Sequence, residues 1–413
     1  MTQKIGFFIP EFPGQTHIFL WREHQALAEL GIEAEFVSTS HPPKAVASHS
    51  WAEEARGKTS YLLPFGARDT PAVLGELMRA GPSGIGRSLA AAASAEVRSP
   101  VGRLRLLAMI PAAAKLAWFA RRGQWTHIHV HSCADAANVA ALASLLSGIP
   151  YSLTLHGPTL EGYGPNQPQK WRNAAFATVI SRRLFDVVSE RLNGAKPSRI
   201  AIAPMGVDLD QIHRSRPYVS WKPGEPCRIF TCGRLNPVKG HDILLETVEM
   251  LRERGIDVRL QIAGEDEQGG RGYRTTLEAM IRDKRLTESV ELLGAVSETR
   301  VRQALEDAHI FALASLDEGI SVAIMEAMAM ELPVIVTDVG GNSELIDHGV
   351  DAILVQPRQP KEMADAIEEV LGNEDFSRRL RQASRAKIAA RFHHRISAQA
   401  IAGFLRQQEP THA

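Results

Sequence analysis

Two glutamates eight residues apart, Glu318 and Glu326, stand in the stretch LASLDEGISVAIMEAMAMELPVIVTDVGGNSEL at 313–345. The run at 310–314 reads as a buried parallel strand, Asp317-Glu318-Gly319 as a turn, and 320–330, free of Gly and Pro, as a helix. Residues 333–336 read as the next strand. On a helix, eight residues at about 1.5 Å each set two carboxylates about 12 Å apart, a span that a sugar nucleotide would fit. The amides of Gly319, Ile320 and Ser321 come where a helix start leaves N–H groups unpaired, and these suit a phosphate. Strand ends in α/β sheets are also where ligands collect.

Two cations add to this chemistry. Gly233-Arg234-Leu-Asn-Pro-Val-Lys239-Gly240 follows an apolar run at 227–231. A glycine-rich turn with Arg and Lys at a strand end suits an oxyanion. Arg234 can fork to a diphosphate, and Lys239 supplies a point charge. Gly264 follows the strand-like run at 258–263 and lets a ligand come close to the backbone. Leu293 ends another run at 289–293. Earlier in the chain, Gly14 sits in a turn after the first predicted strand, at 4–9, and before a helix at 18–30 with Thr16 as its N-cap.

Histidines form a third group. His127, His129 and His131 alternate, so an extended chain places them on one face. No acidic or cysteine partner has metal-site spacing, so packing or hydrogen bonding is expected of them. His156 ends the run at 149–157, where groups at parallel strand ends converge.

The elements around these residues alternate strand and helix over 413 residues. That length implies two α/β domains of about 200 residues each. We place them at 1–205 and 206–390, with 391–413 as a terminal helix returning to the first. Residues 39–70 read as loop with short elements. Residues 70–122 read as helix broken near Gly81-Pro82, Pro100 and Pro111. Lys and Arg number 47, balanced by 47 Asp and Glu, so no global charge draws the chain to nucleic acid. Three cysteines, Cys133, Cys227 and Cys232, read as free buried thiols. The N-terminus has no signal-peptide pattern and no apolar run is long enough to span a bilayer. A cytoplasmic protein is expected. Basic residues recurring among apolar ones (Arg98, Arg103, Arg105, Lys115, Arg121, Arg122) suggest an anionic membrane surface as a partner.

EGISVAIMEAMA, LPVIVTDVGG and SELI resemble the E-x7-E segment of retaining glycosyltransferases of family 4. GRL-x-x-x-KG, the T-x-H at Thr154-Leu155-His156, and Pro204-Met-Gly-Val-Asp208 resemble other segments of that family. The resemblance implies a GT-B fold: α/β, two Rossmann-like domains with parallel sheets facing across a cleft. It implies sugar transfer with retention, from a UDP- or GDP-sugar to a glycan or polyprenyl-linked acceptor in bacterial exopolysaccharide or lipopolysaccharide synthesis. Arg234 and Lys239 would bind the diphosphate, Glu318 the sugar hydroxyls, Glu326 the ribose, and His156 would lie near the reacting sugar. The loops at Gly264 and Leu293 would hold the base. Neither a metal nor another cofactor is implied, because cations take the place of Mg²⁺.

Three departures stand out. In the first loop, Gly14, Gln15 and His17 replace the family's Ser, Glu and Phe. Ser321 replaces a proline in the first helical turn. Glu331 replaces a helix-ending glycine; since Glu at positive φ would cost about 1 kcal/mol, a different cap is expected there. A nucleotide-sugar epimerase, or a non-catalytic sugar-nucleotide-binding subunit, is the alternative on the same architecture. A Rossmann oxidoreductase would need a G-x-G-x-x-G that the first unit lacks.

Overall fold

Short runs of Ile, Val, Leu and Phe, each ending in a polar turn, build two sheets in this computed structural model, which describes residues 3–42, 49–97, 99–157 and 159–407. The first lobe contains β1 (Gln3–Glu11), α1 (Ile18–Glu29), β2 (Ile32–Ser40), α2 (Ala52–Lys58) and β3 (Ser60–Tyr61). Three helices follow: α3 (Thr70–Ala93), α4 (Pro100–Ala108) and α5 (Ile110–Arg122). Then come β4 (His127–Val130), α6 (Asp135–Ser147), β5 (Tyr151–Leu155), α7 (Gln167–Arg172), β6 (Ala177–Val179), α8 (Arg182–Arg191) and β7 (Ile200–Ile202). The sheet order is β3-β2-β1-β4-β5-β6-β7 and every pairing is parallel.

The second lobe opens with β8 (Cys227–Cys232), α9 (His241–Glu253), β9 (Val258–Ala263), α10 (Tyr273–Asp283) and β10 (Val290–Gly294). It continues through α11 (Glu298–Asp307), β11 (Ile310–Leu313), α12 (Val322–Ala329), β12 (Val334–Thr337), α13 (Asn342–Leu345) and β13 (Ile353–Val355). The order is β10-β9-β8-β11-β12-β13, again parallel. In both sheets the order reverses beside the first strand, which opens a crevice at the carboxyl ends. Helices α14 (Pro360–Gly372), α15 (Glu374–Arg391) and α16 (Arg395–Arg406) finish the chain.

α16 packs on the first lobe: Ala398, Ile401, Ala402 and Leu405 share a buried cluster with Ile5, Phe7, Leu20 and Leu27. To get there the chain passes beside the outgoing linker. Val207 N donates to Phe392 O at 2.9 Å, and His394 N to Val207 O at 3.1 Å. A Cβ on Gly206 would strike the His393 backbone, so only glycine fits at this crossing.

Several local expectations are corrected. Helix α12 starts at Val322, not 320, and Ser321 is its extended N-cap residue, not part of the first turn. The 12 Å reckoning therefore applies to only part of the Glu318–Glu326 interval. His17, not Thr16, is the residue before α1, and no side chain caps that helix. Glu331 does take the left-handed conformation, φ 52°. Glu331 N donates to Met328 O and Leu332 N to Ala327 O, so the helix keeps its Schellman-type cap rather than finding another. The breaks in the 70–122 region fall as expected, with Gly81 at φ 63° kinking α3. Cys133, Cys227 and Cys232 are free thiols.

Candidate functional site

The carboxyl ends of the two sheets face each other across a cleft of about 610 Å³. His156, Gly233, Arg234, Lys239, Gly264, Glu318, Gly319, Ile320, Ser321 and Glu326 all line it. They come from six separate stretches, brought together by the loops after β5, β8, β9 and β11 and by α12.

Two of the expected residues are not on the wall. Gly14 is buried, and a Cβ there would meet the His17 ring at 3.0 Å, so that ring lies over it. Leu293 is inside β10, and the cleft is lined one turn later by Ala295 and Val296.

Lys239 and Glu318 meet directly. Lys239 Nζ donates to Glu318 Oε1 at 2.6 Å, and Ser315 Oγ donates to the same oxygen at 2.7 Å. Glu318 is only 7% exposed. The Glu318-Gly319 turn is held by the paired glycines that follow β12. A Cβ on Gly340 would fall on the Glu318 carbonyl, and one on Gly341 on the Gly319 carbonyl. On its other side Gly319 approaches the first lobe, where its Cβ would lie 2.7 Å from His156 O. Any side chain here would push the lobes apart.

Arg234 reaches into the same cleft but is half-exposed, with Nη1 2.8 Å from Glu267 Oε1. Burial, helped by the Arg234 charge, lowers His17 to about 4. Glu326 does not stand free: its Oε1 accepts from Arg22 Nη1 of α1 at 2.9 Å.

The lobes are tied at three more points that sequence reading missed. Gln15 Nε2 donates to Glu265 O at 3.0 Å, and Glu265 N donates back to Gln15 Oε1 at 3.1 Å. His49 Nδ1 lies 3.3 Å from Glu298 Oε2. Glu344 accepts from Arg182 N at 2.6 Å and Arg183 N at 2.8 Å, so the second lobe caps the start of α8 in the first. The glutamate of SELI was the one available signal for that cap. The loop that follows Gly264 is wound on one carboxylate. Asp266 accepts from the amides of Gln268, Gly270, Gly272 and Arg274 at 2.8–3.1 Å.

The alternating histidines form a buried hydrogen-bonded face. Ser152 Oγ lies 2.7 Å from both His127 Nε2 and His129 Nδ1, and Thr154 Oγ1 lies 2.9 Å from His129 Nε2. Glu23 of α1 comes close to His129 and His131, an acidic neighbour that linear spacing could not show. Both His129 nitrogens are already engaged by hydroxyls, so this is a hydrogen-bonded cluster.

Comparison with known proteins fits this geometry. Residues 18–211 match the family model described as Glycosyltransferase Family 4, and residues 219–387 the one described as Glycosyl transferases group 1. The putative colanic acid biosynthesis glycosyltransferase WcaL of Salmonella typhimurium is 30% identical over 237 residues, covering 55% of this chain and 54% of that protein. The chain thus spans about half the length of that relative. The amylovoran biosynthesis glycosyltransferase AmsK of Erwinia amylovora is 24% identical over 97% of this chain and 99% of its own. Among solved structures, Anabaena HepE in complex with UDP superposes with a TM-score of 0.71 at 18% identity, covering 98% of this chain and 100% of that one. Sucrose-phosphate synthase from Thermosynechococcus elongatus gives 0.72 at 18% identity, with 98% of each chain covered.

Proposed function

Because the chain belongs to glycosyltransferase family 4, with the two-lobed GT-B fold, we propose that it moves a hexose from a nucleotide sugar to a glycan or lipid-linked glycan, with retention and without a metal. The observation that carries this reading is the Lys239–Glu318 pair beside Arg234, set where the two sheets face each other. Departure of a nucleoside diphosphate builds charge on the leaving phosphate. Arg234, Lys239 and the amides of Gly319 to Ser321 are the groups that stabilise it. Lys239 must exchange its contact with Glu318 for a phosphate oxygen, which frees the carboxylate for sugar hydroxyls. The relatives named for colanic acid and amylovoran synthesis support a surface-polysaccharide acceptor, and the UDP-bound HepE supports a uridine donor.

We divide the chain at 205/206 and 390/391, in keeping with the linker crossing and the return of α16. We also place the protein on the inner face of the cytoplasmic membrane. No helix among the described residues is long and apolar enough to cross a bilayer. α4, packed beside α3, exposes Val101 by 74% and Leu104 by 66%, and α3 exposes Met78 by 77%. Arg103 on α4 is exposed as well. The basic residues are fewer than expected there: Lys115 pairs with Asp69, Arg105 with Asp135 and Arg121 with Glu76, and Arg98 lies outside the described residues. The apolar face is therefore the main attraction.

Calorimetric titration with UDP- and GDP-sugars, followed by nucleotide release with lipid-linked acceptors and NMR of the product anomer, tests the reading. Acceptor-dependent release with an unchanged anomeric configuration is expected. Conversion of the donor without an acceptor would point to an epimerase, and binding without turnover to a sugar-nucleotide-binding subunit.

A further inference from the structure

Behind the cleft wall, side chains from three elements stand in a row. Glu23 comes from α1, His131 from the end of β4 and His156 from the end of β5. His131 Nδ1 is 3.1 Å from His156 Nε2. On its other side, His131 Nε2 is 3.3 Å from Glu23 Oε1. That second contact is off the line of a full hydrogen bond, and neither atom has another hydrogen-bond partner. His156 Nδ1 has none either, and His156 lines the cleft. The row is closed off at Glu23, which is 2% exposed, and ends at His156, whose ring lines the cleft although Nδ1 itself is buried.

We propose that Glu23, His131 and His156 form a proton-sharing row in which Glu23 decides whether His156 offers the cleft a donor or an acceptor. A neutral imidazole carries one N–H, so only two patterns fit. With Glu23 protonated, it donates to His131 Nε2, His131 Nδ1–H donates to His156 Nε2, and His156 Nδ1 bears a proton. With Glu23 ionised, each hydrogen bond reverses and His156 Nδ1 is a bare lone pair. Passing between them, the Nδ1 proton of His156 goes to water in the free protein, or to an oxygen of the departing phosphate during transfer. The Nδ1 proton of His131 goes to His156 Nε2, and that of Glu23 to His131 Nε2. Three bonds to hydrogen break, three form, and the negative charge ends on Glu23.

Burial supports this division of labour. It pushes Glu23 up to about 7, lowers His156 to about 3 and holds His131 well below the usual histidine range. The imidazoles stay neutral and the carboxyl titrates. The groups facing the row are few. His129 on β4 is engaged by hydroxyls, His17 lies before α1, and Ser397 on α16 lies beside Glu23 and favours its charged form. Arg22, beside Glu23 on α1, is held by Glu326. Among the described residues no Lys or Arg forms an ion pair with Glu23.

The tautomer exchange rests on this geometry alone. Its use in transfer rests on the proposed placing of His156 beside the reacting sugar, where Glu23 and His131 act as positioning residues. Long-range ¹H–¹⁵N correlation of ¹⁵N-histidine-labelled protein, from about pH 5.5 to about pH 8.5, reads the tautomer directly. His156 Nδ1 is expected to change from protonated to bare with a midpoint near 7, and Glu23→Gln to abolish the change. A single tautomer throughout, or a transition that survives in Glu23→Gln, overturns the row. If Glu23→Gln does not fold, His131→Asn cuts the row at its middle, and a transition that persists there overturns it equally. The same pH range in turnover should show an inflection in kcat that Glu23→Gln flattens, with KM for the donor unchanged. A tautomer exchange with a flat turnover profile overturns the row's part in transfer and leaves the donor assignment standing.

Discussion

Arg22 of α1 donates to Glu326 of α12 at 2.9 Å across the lobe boundary, with side-chain exposures of 3% and 13%. The residue proposed for the ribose is therefore oriented by the opposite lobe. Breaking a buried pair strands a charge and costs about 3–5 kcal/mol, whereas removing both partners costs far less. Arg22→Met is expected to destabilise the protein by that amount in urea unfolding, and Arg22→Met/Glu326→Gln to recover most of it. Purely additive effects would mean that the contact is not formed in solution.

Lys239 and Glu318 are expected to be needed individually for transfer. Lys239→Ala and Glu318→Ala should each slow nucleotide release at least about tenfold, which is about 1.4 kcal/mol of barrier. Steady-state release at saturating donor measures this. Unchanged rates in both folded variants would contradict the site assignment.

Stability should carry the signature of Glu23. Its carboxyl is raised in the folded state to about 7 from the ordinary 4.5. The folded protein then binds more protons than the unfolded chain between those values. The contribution is complete below 4.5 and is lost as pH rises through 7. Thermal unfolding of Glu23→Gln against the parent should show the variant gaining in relative Tm across that window. A constant offset would argue against the raised carboxyl.

Glu331 occupies a left-handed position, φ 52°, in the cap of α12. Its contact with Arg385 Nε is long at 3.7 Å and partly exposed, so it offsets little. Glu331→Gly is expected to stabilise by about 1 kcal/mol, read from the urea midpoint at constant m.

The exposed apolar face of α4 should be what binds lipid. Leu104→Glu is expected to abolish sedimentation with anionic vesicles at low salt and leave the fold intact. Retained binding would move the lipid-facing surface elsewhere.

The fold was legible because strand runs and glycine turns are local signals. The breaks at Gly81, Pro100 and Pro111 could be read from their residues alone. The Arg–Lys–Glu set was legible through its spacing and its resemblance to family 4. What could not be read was who stands opposite whom. Arg22 and Glu326 are 304 residues apart, and Gln15 and Glu265 are 250 apart. Nor does Glu23, in an apparently amphipathic helix, announce that it faces His131. The start of α12 was misjudged because Ile320 and Ser321 have no helix-breaking side chain. They stay outside the helix, with Ser321 extended, where Gly319 and Gly341 pack backbone against backbone.

The linker at Val207 and the returning segment at 392–394 are stitched side by side by two backbone hydrogen bonds. A pair of straps fastened along one seam resists sliding and shear, because either would strip those bonds. What the seam leaves free is a swing about itself, once the Arg22–Glu326 and Gln15–Glu265 ties across the lobes are released. The mouth must gape widest at the rim farthest from it, so traffic in and out of the crevice has a preferred side, fixed by where the chain chose to cross.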